Sequence, residues 1–233
     1  MIVRSFEGAL ALIAQPDHAA LARRIMERCV ALAGHPRRDD ILRAVGEHDN
    51  GWAETDAAPV VDRETGRLAD FVRLPLPERH DVWRRGIARL AQEPWPAALV
   101  AHHAVTVYDR YRADSAWDEF FAEMERARTA MIAASGRDPA DLPGDYQFLR
   151  LGDLISLAFC TGSNDRQAFG GWSLALKDLR VTISPDIFGG KTVAVEIEAR
   201  EIPGTTWRDD QSLRAAIGRA RAVTIRGEVA GQP

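Results

Sequence analysis

The hydrophobic pattern of the chain changes period near residue 170, and this change constrains the fold more than any other feature. Upstream, apolar residues recur at helical spacing, as Leu21, Ile25 and Leu32 do. Downstream of Gly170, apolar and polar residues alternate with a period of two, which is typical of half-buried strands. We therefore predict a mainly α fold: a helical bundle over residues 1–168 with a small C-terminal antiparallel β appendage over residues 169–233.

Turn and capping residues divide the first part into helices. Helices are predicted to begin at Pro16 and Pro77, which suit first-turn positions, and beside two caps, Asp39 or Asp40 and Ser115 or Asp114. Further predicted helices span residues 97–111 and 146–160. The first dozen residues read as a short strand or an extended lead-in. Residues 53–76 contain several prolines and charges and predict a long irregular loop, a kind of segment that often carries function.

Composition and charge exclude some classes of protein. The 233 residues are 46% hydrophobic and 27% charged, and the formal net charge is −4 with both signs scattered. Nucleic-acid binders usually show a basic stripe, so no nucleic-acid partner is expected. No apolar run reaches the roughly 20 residues that a membrane-spanning helix needs, and no signal peptide is evident. The two cysteines, Cys29 and Cys160, predict buried thiols in a cytoplasmic protein.

Histidines and aspartates form the most informative group in the sequence. There are 6 histidines, and five of them fall on or beside predicted helices, whereas His35 lies next to a proline in a loop and is expected at the surface. Asp153 is flanked by leucines on the last apolar helix, and a buried carboxylate is costly unless it is paired or bound to a metal. The predicted metal ligands are His18, His48, Asp49, His80, His102, His103 and Asp153.

Imidazole and carboxylate donors of this kind suit a divalent transition metal. We expect one or two ions, with iron favoured over manganese, nickel and zinc. Spreading ligands over several helices is how a helical bundle builds an internal metal site. His102 and His103 diverge by about 100° as adjacent helical residues, so the sequence leaves open whether one or both are ligands.

The order His, His-Asp, His, His-His, Asp resembles the signature of the HD-domain superfamily of metal-dependent phosphohydrolases and their di-iron relatives. Three segments are more closely similar to an uncharacterised bacterial domain-of-unknown-function family; they span residues 15–18, 48–52 and 153–157, and that similarity extends to residues 183–188. The superfamily resemblance covers roughly residues 12–160 and implies an HD-like helical bundle.

The resemblance also implies roles for the predicted ligands. His18, His48, Asp49 and Asp153 match the ligands of a first metal. His80, with His102 or His103, matches ligands of a second metal, and Asp49 would bridge the two ions.

Two departures limit the resemblance. Cyclic-dinucleotide phosphodiesterases of the superfamily place a lysine after the His-Asp pair and carry a Gly-Tyr-Pro tripeptide; here the pair is followed by Asn50-Gly51-Trp52, and the tripeptide is missing. Cleavage of cyclic dinucleotides is therefore not expected. The long gap between His103 and Asp153 resembles the insertions of the di-iron oxygenases.

The expected function is hydrolysis of a phosphate ester at a mononuclear or binuclear His/Asp site. Asp49 is a predicted catalytic residue, and Arg84 and Arg85, one turn beyond His80, are predicted to hold the phosphate of a small-molecule substrate. Two alternatives remain open from the sequence: a mixed-valent di-iron oxygenase, and a non-catalytic metal-binding or ligand-sensing module. The sequence also leaves open whether the β part forms a homodimer.

Overall fold

A seven-stranded sheet and a layer of helices make up the chain. The computed structural model describes residues 1–6 and 8–232. The helices are α1 (Gln15–Met26), α2 (Arg38–Glu47), α3 (Ala53–Ala57), α4 (Leu76–Arg89), α5 (Pro94–Tyr108), α6 (Asp118–Ser135), α7 (Leu142–Thr161) and α8 (Asp210–Gly218). The strands are β1 (Ile2–Phe6), β2 (Ala9–Ile13), β3 (Gln167–Phe169), β4 (Trp172–Lys177), β5 (Arg180–Ser184), β6 (Thr192–Pro203) and β7 (Arg221–Gly231).

Local chemistry explains several helix boundaries. Proline occupies the first turn of α1, α4, α5 and α7, where its missing N–H leaves no hydrogen bond unmade. The helices α6 and α7 both end at a glycine in the left-handed conformation, Gly136 and Gly162. The short helix α8 begins with a capping box in which Asp209 and Ser212 satisfy each other's backbone N–H groups.

The strand order is β1-β2-β6-β7-β5-β4-β3. The neighbours pair antiparallel except β5 and β7, which are parallel. The N-terminal hairpin joins the C-terminal strands because β2 pairs with β6, with Ala9 opposite Pro203 and Leu12 opposite Arg200. The sheet is therefore mixed, and it draws strands from both ends of the chain.

The predicted fold class, a mainly α bundle with a small antiparallel β appendage, is wrong. About half of the residues are helical and about a fifth belong to the seven-stranded sheet. The larger of two hydrophobic clusters in the described residues contains helix residues such as Phe159 together with strand residues such as Val181 and Val229, all fully buried. Local periodicity predicts that a segment is a strand, but it does not predict which distant strand the segment pairs with. The sequence pattern therefore predicts a smaller sheet than the one the structure has. The division of the chain at residue 168 stays a prediction.

Four helices pack together around the interior that holds the buried histidines His18, His48 and His103. They are α1, α2, α5 and α7. The helices α1 and α7 also contact strands of the sheet, which covers their other side. In the part of the chain that the structure describes, no helix is both long enough and apolar enough to cross a membrane.

The contact between α7 and the sheet can be tested at Gly227. A Cβ atom at this position of β7 would lie 2.1 Å from the carbonyl oxygen of Leu179 and 2.6 Å from Cε2 of Phe159 on α7. We expect Gly227→Ala to lower the free energy of unfolding by about 1–3 kcal/mol, because the crowded backbone and ring must move apart. Thermal and denaturant unfolding would measure the change.

Gly144→Ala is the matched control, because a Cβ atom at Gly144 in the first turn of α7 meets nothing within 4 Å. This substitution should be neutral or slightly stabilising. Equal stability of the two variants would contradict the close packing of β7 against α7.

Candidate metal centre

Five of the predicted ligands come together in the interior. They are His18 on α1, His48 and Asp49 just after α2, His103 on α5 and Asp153 on α7. All five are buried, and their exposed fractions range from 1% to 8%. They form two groups that could hold a metal ion, one of His18, His48 and Asp49 and the other of His48, His103 and Asp153.

Close helix packing brings Asp153 to the histidines. The preceding residue on α7 is Gly152, where a Cβ atom would lie 2.7 Å from Cγ of Met26 and 3.2 Å from Cγ1 of Val45. Only a glycine lets α7 approach α1 and α2 this closely without displacing those side chains. Asp153 therefore reaches His18 and His48 across the helix interface.

The two histidine nitrogens lie at the spacing expected around one ion, both from each other and from one oxygen of each aspartate. The two Nε2 atoms of His18 and His48 are 3.2 Å apart. Asp49 Oδ2 lies 3.6 Å from each of them, and Asp153 Oδ1 lies 3.2 Å from His18 Nε2 and 3.5 Å from His48 Nε2. Ligands bound at 2.0–2.2 Å to a tetrahedral ion are separated by about 3.3–3.6 Å. The donor set thus fits a metal ion of this size.

The outer ring nitrogens are held in the manner usual for metal-binding histidines. His48 Nδ1 donates to the carbonyl oxygen of Val45 at 2.7 Å. Ser156 Oγ donates to the carbonyl of Gly152 or Asp153, so it accepts a hydrogen bond from His18 Nδ1 at 2.9 Å. These two contacts place a proton on Nδ1 of each ring and direct Nε2, the atom that would bind a metal, toward the cluster.

The charges of the cluster favour a cation at its centre. Burial lowers the pKa of His48, but the charges of Asp49 and Asp153 outweigh it and raise the pKa to about 9. Burial also disfavours ionisation of Asp153, yet its contacts with His18 and His48 hold its pKa well below the usual range. Burial raises the pKa of Asp49. The two carboxylates therefore stabilise positive charge at this point, which a proton on His48 supplies and which a metal ion would supply in its place.

His103 and Arg150 approach the other oxygen of Asp153. His103 Nε2 lies 3.7 Å from Asp153 Oδ2, and Arg150 Nη1 donates to the same oxygen at 2.5 Å. His103 Nδ1 is hydrogen-bonded to the hydroxyl of Tyr146 at 3.1 Å. Burial lowers the pKa of His103 well below its ordinary value, so this ring is neutral near pH 7.

His80 and His102, the other two predicted ligands, are not part of the cluster. The ring of His80 stacks on Phe120 with centroids 4.6 Å apart and meets the edge of Trp117. His102 Nδ1 accepts a hydrogen bond from Arg128 at 3.0 Å; burial and then the charge of Arg128 lower its pKa to about 4. Of the adjacent pair on α5, only His103 faces the centre, as the divergence of neighbouring helical side chains requires.

The two predicted phosphate-binding arginines lie elsewhere. Arg84 pairs with Glu123 at 2.7 Å and with Asp81 at 2.8 Å at the surface. Arg85 donates to the carbonyl of Gly51 and to the hydroxyl of Thr55. Their hydrogen bonds hold α4 to its neighbours, and neither residue lines the cavity that contains the cluster.

A cavity of about 200 Å³ opens onto the cluster. Its wall is partly aromatic and includes Trp52, Phe71, Trp83 and Tyr108. Gln15 also lines it, and the side-chain oxygen of this residue is buried without a hydrogen-bond partner. Three larger cavities among the described residues, of about 910, 760 and 500 Å³, are lined by neither a histidine nor any of the cluster residues. The smaller cavity is therefore the one that borders the candidate metal ligands.

Three arginines line the same cavity, Arg79, Arg110 and Arg150. Sequence reasoning missed all three. Arg79 and Arg110 form no ion pair with a carboxylate among the described residues; their guanidinium groups lie over the rings of Trp117 and Tyr111. Arg150 could have been found, because it precedes Asp153 by one helical turn on α7. No local signal separates Arg79 from the other arginines of α4.

The comparisons with known proteins identify a family but no activity. The chain belongs to the family described as "Protein of unknown function (DUF3891)", which matches residues 1–204. No curated protein and no solved structure matches the chain.

Metal content tests the composition of the cluster. We expect His48→Ala to reduce bound metal to background, because alanine supplies no ligand atom in place of the Nε2 nitrogen. His102→Gln should retain the wild-type metal content, because His102 faces Arg128. Elemental analysis of protein purified without a metal-binding tag would measure both. Full metal content in His48→Ala would refute the assignment of this cluster.

Ser156→Ala tests whether the outer hydrogen bond orients His18. We expect metal affinity to fall about 10–100-fold, the usual effect of removing such a partner, with the fold retained. The matched control is Ser135→Ala, because Ser135 also donates to a carbonyl within its own helix but lies at the end of α6. Competition with a fluorescent chelator gives the affinities. Equal metal affinities in the two variants would show that Ser156 does not support metal binding.

Proposed function

We propose that this protein is a metal-dependent hydrolase that cleaves a phosphate ester of a small molecule. The observation that carries the proposal is a buried set of two histidines and two aspartates, in which each histidine Nε2 lies 3.2–3.6 Å from the other and from one oxygen of each aspartate. This set lies beside a cavity lined by two arginines, Arg79 and Arg110, without carboxylate partners among the described residues. The arrangement combines a place for a Lewis acid with a place for an anion. The order of His18, His48, Asp49 and Asp153 agrees with the resemblance to HD-domain phosphohydrolases.

The four ligands suit a divalent transition metal. Imidazole and carboxylate donors accept iron, manganese, nickel or zinc, and iron is our first expectation. When bound, such an ion polarises a phosphoryl oxygen and lowers the pKa of water. His18, His48, Asp49 and Asp153 would hold it, and the hydrogen bonds from His48 to Val45 and from His18 to Ser156 keep the donor nitrogens aimed at it.

Arg79 and Arg110 would bind the phosphate. Both residues line the cavity, and neither is paired with a carboxylate in the described part of the chain. Arginine presents paired N–H donors that match the oxygens of a phosphate. The Nε atom of Arg79 is buried without a hydrogen-bond partner among the described residues, so the protein itself leaves part of this guanidinium unsatisfied.

The size of the cavity restricts the substrate. A volume of about 200 Å³ lies below the 300–1,000 Å³ usual for drug-sized ligands, so the substrate is a small phosphate ester. The aromatic wall would pack against the organic part and exclude water from the reacting bond. The net charge of −4 gives no basic surface on which a nucleic acid would lie.

Phosphate release tests the activity. Protein loaded with iron or manganese should release inorganic phosphate from members of a panel of sugar phosphates and nucleoside monophosphates, and a chelator should abolish the release. His48→Ala is the control for contaminating phosphatases. Oxygen consumption without phosphate release would overturn the proposal in favour of an oxygenase. Metal binding without turnover in either assay would leave a ligand-binding module.

Arg79→Gln tests the phosphate contact. We expect kcat/KM to fall about 10–100-fold, mainly through a higher KM, because one charge-assisted hydrogen bond is lost. Metal content should not change. Arg84→Gln is the comparison on the same helix, and its kcat/KM should stay close to that of the wild type because Arg84 is paired at the surface. The opposite ranking of the two variants would favour Arg84 as the phosphate ligand.

A further inference from the structure

We infer that this centre holds a single metal ion, and that the guanidinium of Arg150 takes the place that a second ion would need. The inference rests on the proposed metal site and concerns its capacity. The question arises because His48 belongs to both groups of potential ligands, and two such groups side by side resemble the ligand set of a binuclear site.

The two oxygens of Asp153 serve different partners. Oδ1 faces the Nε2 atoms of His18 and His48 at 3.2 and 3.5 Å, on the side of the four-ligand set. Oδ2 faces His103 and is bound by Arg150 Nη1 at 2.5 Å. A carboxylate that bridges two ions offers one oxygen to each. In Asp153 the second oxygen is already committed to a guanidinium.

The charge of Arg150 also opposes a second ion. A guanidinium stays protonated throughout the accessible pH range, so its positive charge is permanent. A divalent ion held by His103 Nε2 and Asp153 Oδ2 would share its carboxylate oxygen with Nη1 of Arg150. The two cations would then repel each other in an interior where water screens charge poorly.

The ligands that remain available also argue against a second ion in the wild-type protein. The residues that the sequence predicts for a second ion include His80 and His102, which lie against Phe120 and Arg128 instead. His18, His48, Asp49 and Asp153 Oδ1 form the four-ligand set. Within the described residues, His103, Asp153 Oδ2 and the second oxygen of Asp49 remain as potential ligands for a second ion, and Arg150 already occupies Asp153 Oδ2.

Arg150 therefore gives the cavity a fixed positive charge next to the ion, in the position that the second cation of a binuclear hydrolase would occupy. Arg150 lines the cavity as well as contacting Asp153, so its remaining N–H groups can face an anionic substrate. Unlike a second ion, this charge cannot be removed by a chelator.

The test is metal stoichiometry at saturation, measured by equilibrium dialysis with Mn²⁺ followed by elemental analysis. The wild type should bind one equivalent. Arg150→Gln should bind two, because Asp153 Oδ2 is released and the positive charge is gone. Arg150→Lys should return to one. The double variant Arg150→Gln with His103→Ala should also bind one, since the second ion loses its only histidine.

Electron paramagnetic resonance supplies a second readout, because two neighbouring Mn²⁺ ions are spin-coupled and a single ion is not. A coupled signal is expected in Arg150→Gln alone. Arg79→Gln is the control for loss of a cavity arginine, and it should retain one equivalent. Circular dichroism checks that each variant is folded.

The outcomes separate this inference from the proposed function. Two equivalents in the wild type, or one in Arg150→Gln, would overturn the role of Arg150 and leave the hydrolase proposal standing. No metal in Arg150→Gln, with one equivalent in the wild type, would also overturn it, because Arg150 would then support the first ion. No metal in the wild type would remove both proposals.

Discussion

Repulsion among buried hydrogen-bond acceptors is the constraint on which the centre of this protein depends. The Nε2 atoms of His18 and His48 face each other at 3.2 Å, and two aspartates point at the same space. Such a group is unfavourable in a protein interior unless a cation compensates it. The cluster therefore needs a positive charge, which a proton on His48 supplies and which a metal ion held by the same four residues would supply in its place.

The surrounding fold holds this costly group together. The four helices that carry the ligands pack closely, and Gly152 allows α7 to approach α1 and α2 immediately beside Asp153. Each ligand is anchored from behind, His48 by the carbonyl of Val45, His18 by Ser156 and Asp153 by Arg150. These contacts fix the donor atoms before an ion arrives, which reduces the cost of organising the site.

Two groups of arginines differ in what they contact: one group is paired with carboxylates at the surface, and the other lines the cavity. Most surface arginines are paired with carboxylates, as Arg84 is with Glu123, and these pairs contribute little beyond holding surface elements. Arg79 and Arg110 face the cavity without such partners, and Arg150 couples the cavity to the metal ligand Asp153. We propose that these three arginines bind an anion because they line the cavity, whereas the paired arginines hold surface elements together.

The sequence by itself determined the helical segments and five residues of the centre, because burial of Asp153 among leucines and the spacing of the histidines are local properties. Only the tertiary structure decided that His80 and His102 stand apart, that Arg79, Arg110 and Arg150 replace Arg84 and Arg85 at the cavity, and that β2 pairs with β6. These outcomes depend on which distant surfaces meet. Local periodicity gives the direction of a side chain relative to its own element, but it does not identify the partner that the side chain will face.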